Sequence, residues 1–104
     1  MNSYLVKNKN EEKFLITVEN EGLKIEEFEK YNPVSIYYRN VNEVWSLRNS
    51  IVVVVEEEID AQYSDLALEY IPILEKNEFD LSKKTENIAK ELSNLCQCLY
   101  RKKY

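Results

Sequence analysis

The residues with the most chemical potential stand together in the run Ile51 to Asp60, IVVVVEEEID. On an extended strand, side chains alternate between faces. Glu56, Glu58 and Asp60 then share one face, roughly 6.6–6.8 Å apart. Glu57 falls on the other, with Val53, Val55 and Ile59. Three carboxylates at that spacing repel one another and seek cations. Lys and Arg side chains of a protein partner would satisfy them through paired, charge-assisted contacts. A divalent cation serving hydrolysis would also want several oxygens, but the segment has no Lys or His base nearby and no second acidic motif of defined spacing. A solvated strand end that discourages edge-to-edge aggregation is the plainest reading.

A second acidic group surrounds a turn. Asn20-Glu21-Gly22 has the chemistry of a three-residue hairpin loop, with the chain's only glycine placed where a positive φ is expected. Glu19 and Glu21 then lie near the hairpin tip, and Glu26, Glu27 and Glu29 follow on the returning strand. Eight tyrosines accompany three phenylalanines and Trp45. Tyrosine presents apolar area with a polar tip at low entropic cost, a common interface ingredient. Tyr37 and Tyr38 point to opposite faces of one strand, so one of them is exposed unless both faces are covered. Trp45 and Tyr38 are assigned to the core. Stacking on nucleic-acid bases would need interleaved Lys and Arg, and residues 34–47 offer only Arg39.

Much enzymology is excluded by absence. The chain has no histidine and one glycine, so Ser-His and Cys-His nucleophile pairs, His-based zinc sites and glycine-rich phosphate loops are not available. Cys96 and Cys98 would point about 200° apart on a helix, cannot bridge each other there, and are expected as buried or half-buried thiols. No cofactor and no metal are expected, and an enzyme is not.

The elements that must position these residues divide near residue 60. The expected strands are Ser3 to Lys7, Lys13 to Glu19, Leu23 to Glu29, Val34 to Arg39, Glu43 to Leu47 and Ile51 to Ile59. Beyond them, Tyr63, Leu66, Ala67, Tyr70, Ile71 and Leu74 form a helical stripe, kinked by Pro72. A second stripe, Ile88, Leu92, Leu95 and Leu99, predicts a final helix capped by Asp80 or Ser82. Arg101-Lys102-Lys103 would match its C-terminal dipole. The 104 residues are therefore expected to form one α+β domain: an antiparallel, meander-like sheet of about five to six strands, with two C-terminal helices on one face.

Net charge is −5, from 19 acidic and 14 basic residues. Residues 1–60 hold 12 Asp/Glu against 7 Lys/Arg, so all of the excess lies there. Such a field repels phosphate backbones and anionic membranes and favours a basic protein surface. The N-terminal residues lack a basic stretch followed by an apolar one, and the longest apolar run, Ile51 to Val55, is too short to span a bilayer. Free thiols without a secretory signal suggest a cytoplasmic protein.

In size, charge and coarse architecture the chain resembles the small acidic immunity proteins that bacteria make against contact-delivered toxins. That resemblance implies an inhibitor of a basic toxin, often a nuclease. Glu56, Glu58, Asp60, Tyr37, Glu19 and Glu21 would then occupy the toxin's basic pockets. The alternatives are a phage-type acidic decoy, similar to an anti-CRISPR, and a homo-oligomeric structural or assembly protein.

Overall fold

The computed structural model describes residues 3–27, 33–59, 62–73 and 80–104, with the side chains of 57–59 and 62–66 left aside. Eight strands form one mixed sheet in the order β4-β3-β2-β1-β7-β6-β5-β8. The strands are β1 (Ser3–Lys7), β2 (Lys13–Val18), β3 (Gly22–Glu27), β4 (Val34–Tyr37), β5 (Val41–Ser46), β6 (Ile51–Ile59), β7 (Gln62–Pro72) and β8 (Leu99–Lys102). One α-helix, α1 (Leu81–Cys96), packs against β5, β6, β7 and β8. The fold is α+β. It corrects the expected five to six antiparallel strands with two helices on two counts, β7 and β8.

The first correction concerns residues 62–72. Their apolar spacing suits a helix, yet they form β7, antiparallel to β6 in a register from Ile51↔Tyr70 to Ile59↔Gln62. The reason lies in β6. Ile51 to Val55 are all buried, and burying a Val or Ile side chain is worth roughly 1.5–3 kcal/mol. A strand on only one side would leave that run exposed along its other edge. The demand of β6 for two neighbours outweighs helix propensities that differ by only about 0.7 kcal/mol between ordinary residues, and Pro72 itself disfavours a helix by about 3 kcal/mol. Within β7 the alternation is plain, since Leu68, Tyr70 and Pro72 lie toward the core while Ala67 is exposed. Pro72 ends the strand instead of kinking a helix.

The second correction concerns the C-terminus. Asp80 caps α1 as expected, its carboxylate accepting from the Lys83 amide at 3.1 Å. The helix then stops at Cys96, because Gln97 adopts a left-handed conformation (φ 51°, ψ 42°). The Cys98 amide donates back to the Ser93 carbonyl at 3.1 Å. Residues 99–102 leave as β8, parallel to β5. Leu99 therefore does not continue the helical stripe and is 52% exposed. Arg101 and Lys102 lie in a strand, not at a helix end. Leu95 is also exposed; the buried face of α1 consists of Thr85, Ile88, Ala89, Leu92, Ser93 and Cys96.

Smaller boundaries move as well. β4 ends at Tyr37, and Tyr38–Asn40 form a 3₁₀ turn. That turn is the whole connection between β4, at one edge of the sheet, and β5, next to the opposite edge. Three residues reach only about 14 Å between their flanking neighbours, whereas in a flat sheet the six strand spacings from β4 to β5 would cover about 29 Å. The sheet must therefore curl, bringing the β4 edge round toward β5. The halves β4-β3-β2-β1 and β7-β6-β5-β8 join where Val6 pairs with Pro72 and Lys7 with Ile71.

The curled inner face holds one core. Val6, Ile16, Val18, Leu23, Ile25 and Ile36 from the first half meet Val44, Ile51, Val53, Val55 and Tyr70 from the second. Ile88, Ala89, Leu92 and Cys96 of α1 complete it. Among the described residues, the hydroxyls of the buried Ser and Thr side chains are bonded. Ser46 bonds Tyr100 at 2.7 Å, Ser50 bonds Glu69 at 2.9 Å, and Thr85 and Ser93 bond helix carbonyls.

Candidate functional site

The β2–β3 connection is tighter than a three-residue loop. Val18 pairs with Leu23, and the Glu19 amide donates to the Gly22 carbonyl at 2.9 Å, so Asn20 and Glu21 occupy the turn. Gly22 is not at positive φ. Its reason is proximity: a Cβ there would sit 2.1 Å from the Ile36 carbonyl oxygen and 2.9 Å from Tyr37 Cα. Gly22 pairs with Tyr37 across the β3–β4 ladder. The missing side chain lets β4 close on the hairpin.

That approach creates an open cleft of about 420 Å³, lined by Glu19, Asn20, Glu21, Gly22, Leu23, Ser35, Ile36 and Tyr37. Three of the residues singled out from sequence, Glu19, Glu21 and Tyr37, thus meet in one depression. Glu19 and Glu21 are exposed. Among the described residues, no ion pair engages either carboxylate. Tyr37 is 44% exposed, and the Arg39 guanidinium lies 4.6 Å from its ring centroid. Arg39 thus takes up the cation–π contact of this ring, and Glu19 and Glu21 are the cleft's open charged groups.

Tyr38 holds this arrangement from behind. Its hydroxyl donates to the Glu19 carbonyl, and its amide donates to the Glu21 carbonyl at 3.1 Å. Half-buried against the core, it has a phenol pushed above its ordinary 10.0, chiefly by burial and then by the nearby Cys96 and Glu19. Sequence reasoning gave Tyr38 a core role but no part at the tip. The bond joins residues 19 apart, and no local pattern announces it.

The acidic strand end is only partly described. Glu56 is half-buried and stands one residue beyond Val55, which pairs with Val41 at the exit of the 3₁₀ turn. It is therefore next to the segment that carries Tyr38 and Arg39. The backbone of Glu58 continues β6 opposite Tyr63, but its side chain lies outside the described residues, as does the whole of Asp60. Among the described residues, no three Asp, Glu or Cys side chains gather as a metal site would require. No described helix is long and apolar enough to cross a membrane.

A second polar cluster sits on the outer side of β5 and β8. Glu43 accepts from Trp45 Nε1 at 2.9 Å and from Arg101 Nε at 2.7 Å. These two bonds, in that order, lower its carboxyl pKa below the ordinary value. Lys103 Nζ lies 4.5 Å from the centroid of the Trp45 ring, and Lys102 reaches Glu86 at 3.7 Å. The basic tail is thus engaged with β5 and α1 instead of a helix dipole. Trp45, assigned to the core, is half-buried and serves this outer cluster.

The two thiols are free, Cys96 buried and Cys98 half-buried. Burial, reinforced by Cys98, pushes the Cys96 thiol up to about 12. A thiol held so firmly protonated is a poor nucleophile and a poor ligand.

No family model matches this chain, and no curated protein matches it.

Proposed function

We propose that this chain is an immunity-type inhibitor that binds and neutralises a basic protein, with a nuclease toxin as the leading partner. The observation that carries the reading is the meeting of Glu19, Glu21 and Tyr37 in one cleft at the β2–β3 tip. Two carboxylates with no ion-pair partner among the described residues suit Lys and Arg side chains by charge-assisted bonds, and the exposed Tyr37 adds apolar area beside them. Glu56, next to the adjoining turn, extends the acidic surface. The net charge of −5 supports steering toward a basic surface. An acidic decoy of the phage type would use the same physics against a nucleic-acid channel, and the identity of the captured partner separates the two.

The test is inhibition. A basic partner purified with this chain should lose its activity on adding the wild-type protein. It should keep that activity on adding a Glu19→Lys, Glu21→Lys double variant. Equal inhibition by the two would remove the tip from the interface.

Self-association is a second reading, favoured by Leu95 and Leu99, both exposed at the end of α1 and the start of β8. Sedimentation decides it, since an apolar dimer would persist independent of salt.

A further inference from the structure

We infer that the open edge of β4 is a strand-addition site that takes an extended, Lys/Arg-bearing segment of the partner. This inference rests on the proposal of a basic partner and specifies how it would be held.

β4 ends the sheet, with β3 on one side and no described strand on the other. The antiparallel register fixes which backbone groups are open. Tyr38 bonds Glu21, and hydrogen-bonded pairs alternate with non-bonded ones. Given Gly22↔Tyr37, Leu23↔Ile36, Lys24↔Ser35 and Ile25↔Val34, the groups of Ile36 and Val34 turn inward to β3. The N–H and C=O of Ser35 and the N–H of Tyr37 turn outward. Pro33, one step further along, has no N–H to offer, so the row of outward donors ends there. The open stretch is short enough to avoid indiscriminate pairing and long enough to exchange two or three hydrogen bonds with one extended segment.

Side chains at the edge say which segment fits. Val34 is 54% and Tyr37 44% exposed, offering apolar area along the added strand. At the far end of β4 the strand meets Glu19 and Glu21, which border the same cleft as Ser35 and Tyr37. A basic residue on a strand lying against Ser35 would enter that cleft. The other free edge, β8, offers the opposite charge, with Arg101 and Lys102 already bonded to Glu43 and Glu86.

The probe is a capped seven-residue peptide of alternating Lys and Val, titrated by fluorescence anisotropy. Ser35→Pro removes an outward N–H while leaving the β3 ladder intact, and Ser35→Ala is its control. One backbone hydrogen bond is worth about two- to tenfold in affinity. Ser35→Pro should weaken binding by that factor relative to Ser35→Ala, which removes the hydroxyl but keeps the N–H. Backbone N-methylation of alternate peptide residues should weaken binding to the unaltered protein likewise, whether or not the proline variant folds. Peptide binding that is indifferent to both changes but lost with Glu19→Lys would overturn strand addition while leaving the acidic tip standing. Absence of binding to the unmethylated peptide would overturn it too. Inhibition by the purified partner's assay is read separately, so failure of the inhibitor proposal is a distinct result.

Discussion

The hydroxyl of Tyr38 donates to the backbone carbonyl of Glu19, tying the 3₁₀ turn after β4 to the tip of the β2–β3 hairpin. A two-residue turn projecting from a sheet is ordinarily a mobile feature. Here one side chain, anchored against the core, fixes where Glu19 and Glu21 stand before any partner arrives. Preorganisation of this kind reduces the ordering cost of binding.

Removing that hydroxyl tests the tie. Tyr38→Phe keeps the ring in place and deletes one hydrogen bond, so global stability should fall by only about 0.5–1.5 kcal/mol. Amide hydrogen exchange at residues 19–23 should accelerate far more than exchange in β6. Uniform acceleration across the sheet would mean that Tyr38 serves the core and not the tip.

Charge at the tip should act through encounter. Reversing Glu19, Glu21 and Glu56 to Lys should lower the association rate with a basic partner more than it raises dissociation. The effect should shrink as ionic strength rises and the Debye length falls from about 10 Å at 0.1 M salt to about 3 Å at 1 M. A loss confined to the dissociation rate and indifferent to salt would point to direct packing in place of steering.

Gly22 should be intolerant for a steric reason alone. Its φ is ordinary, but an added Cβ would meet the backbone of Ile36 at 2.1 Å. Backbone cannot swing aside as a side-chain end can. Gly22→Ala should cost about 1–3 kcal/mol, as overpacking does, and should push β4 away from β3. Denaturant midpoints give the cost, and weakened protection of the Ile36 and Tyr38 amides would locate it. An unchanged midpoint would show that β4 can yield freely.

Stability should fall at both ends of the pH scale for different groups. Hydrogen bonds from Trp45 and then Arg101 hold Glu43 below its ordinary 4.5, and those from Ser82 and the Lys83 amide hold Asp80 below 3.8. A carboxyl whose folded pKa is lowered stabilises above its unfolded pKa, and that contribution is lost as pH falls through the folded value. Asp80 is exposed and Glu43 only half-buried, so this acid limb should be shallow, and Glu43→Gln should flatten it further.

On the alkaline side, burial raises Cys96 from 9.0 to about 12 and Tyr70 from 10.0 to about 12. The folded state retains these protons longer than the unfolded chain. Their contribution is therefore full below about pH 9 and lost as pH rises toward 12. Denaturant melts across that window should show the decline, less steep in Tyr70→Phe. A flat alkaline profile would mean that the phenol is solvated.

Some of this architecture was legible in the sequence for physical reasons. Ile51 to Val55 could only be a strand covered on both faces, and Asp80 had the right chemistry three residues before the amide it caps. β7 was not legible. Ala67, Tyr70 and Ile71 satisfy a helical period while Leu68, Tyr70 and Pro72 satisfy a strand's, and what decides between them is the demand of β6 for a second neighbour. β8 was hidden because no glycine marks the end of α1; Gln97 takes the left-handed position itself. The alternation of Cys98 and Tyr100 against Leu99 and Arg101 was the available signal. At the candidate site, turn chemistry placed Glu19 and Glu21 together. Their meeting with Tyr37 and the tie from Tyr38 both needed the β3–β4 register.

The most direct test compares wild-type bait with a Glu19→Lys, Glu21→Lys, Tyr37→Ala variant in affinity capture from lysate of the native source, at low and at moderate salt. Wild type should retain a stoichiometric basic protein at moderate salt, and that protein's activity should be blocked in the complex. The triple variant, verified as folded, should lose it. Recovery of the bait alone, of the bait as a dimer, or of the same partner by both baits would contradict an inhibitor that works through this tip.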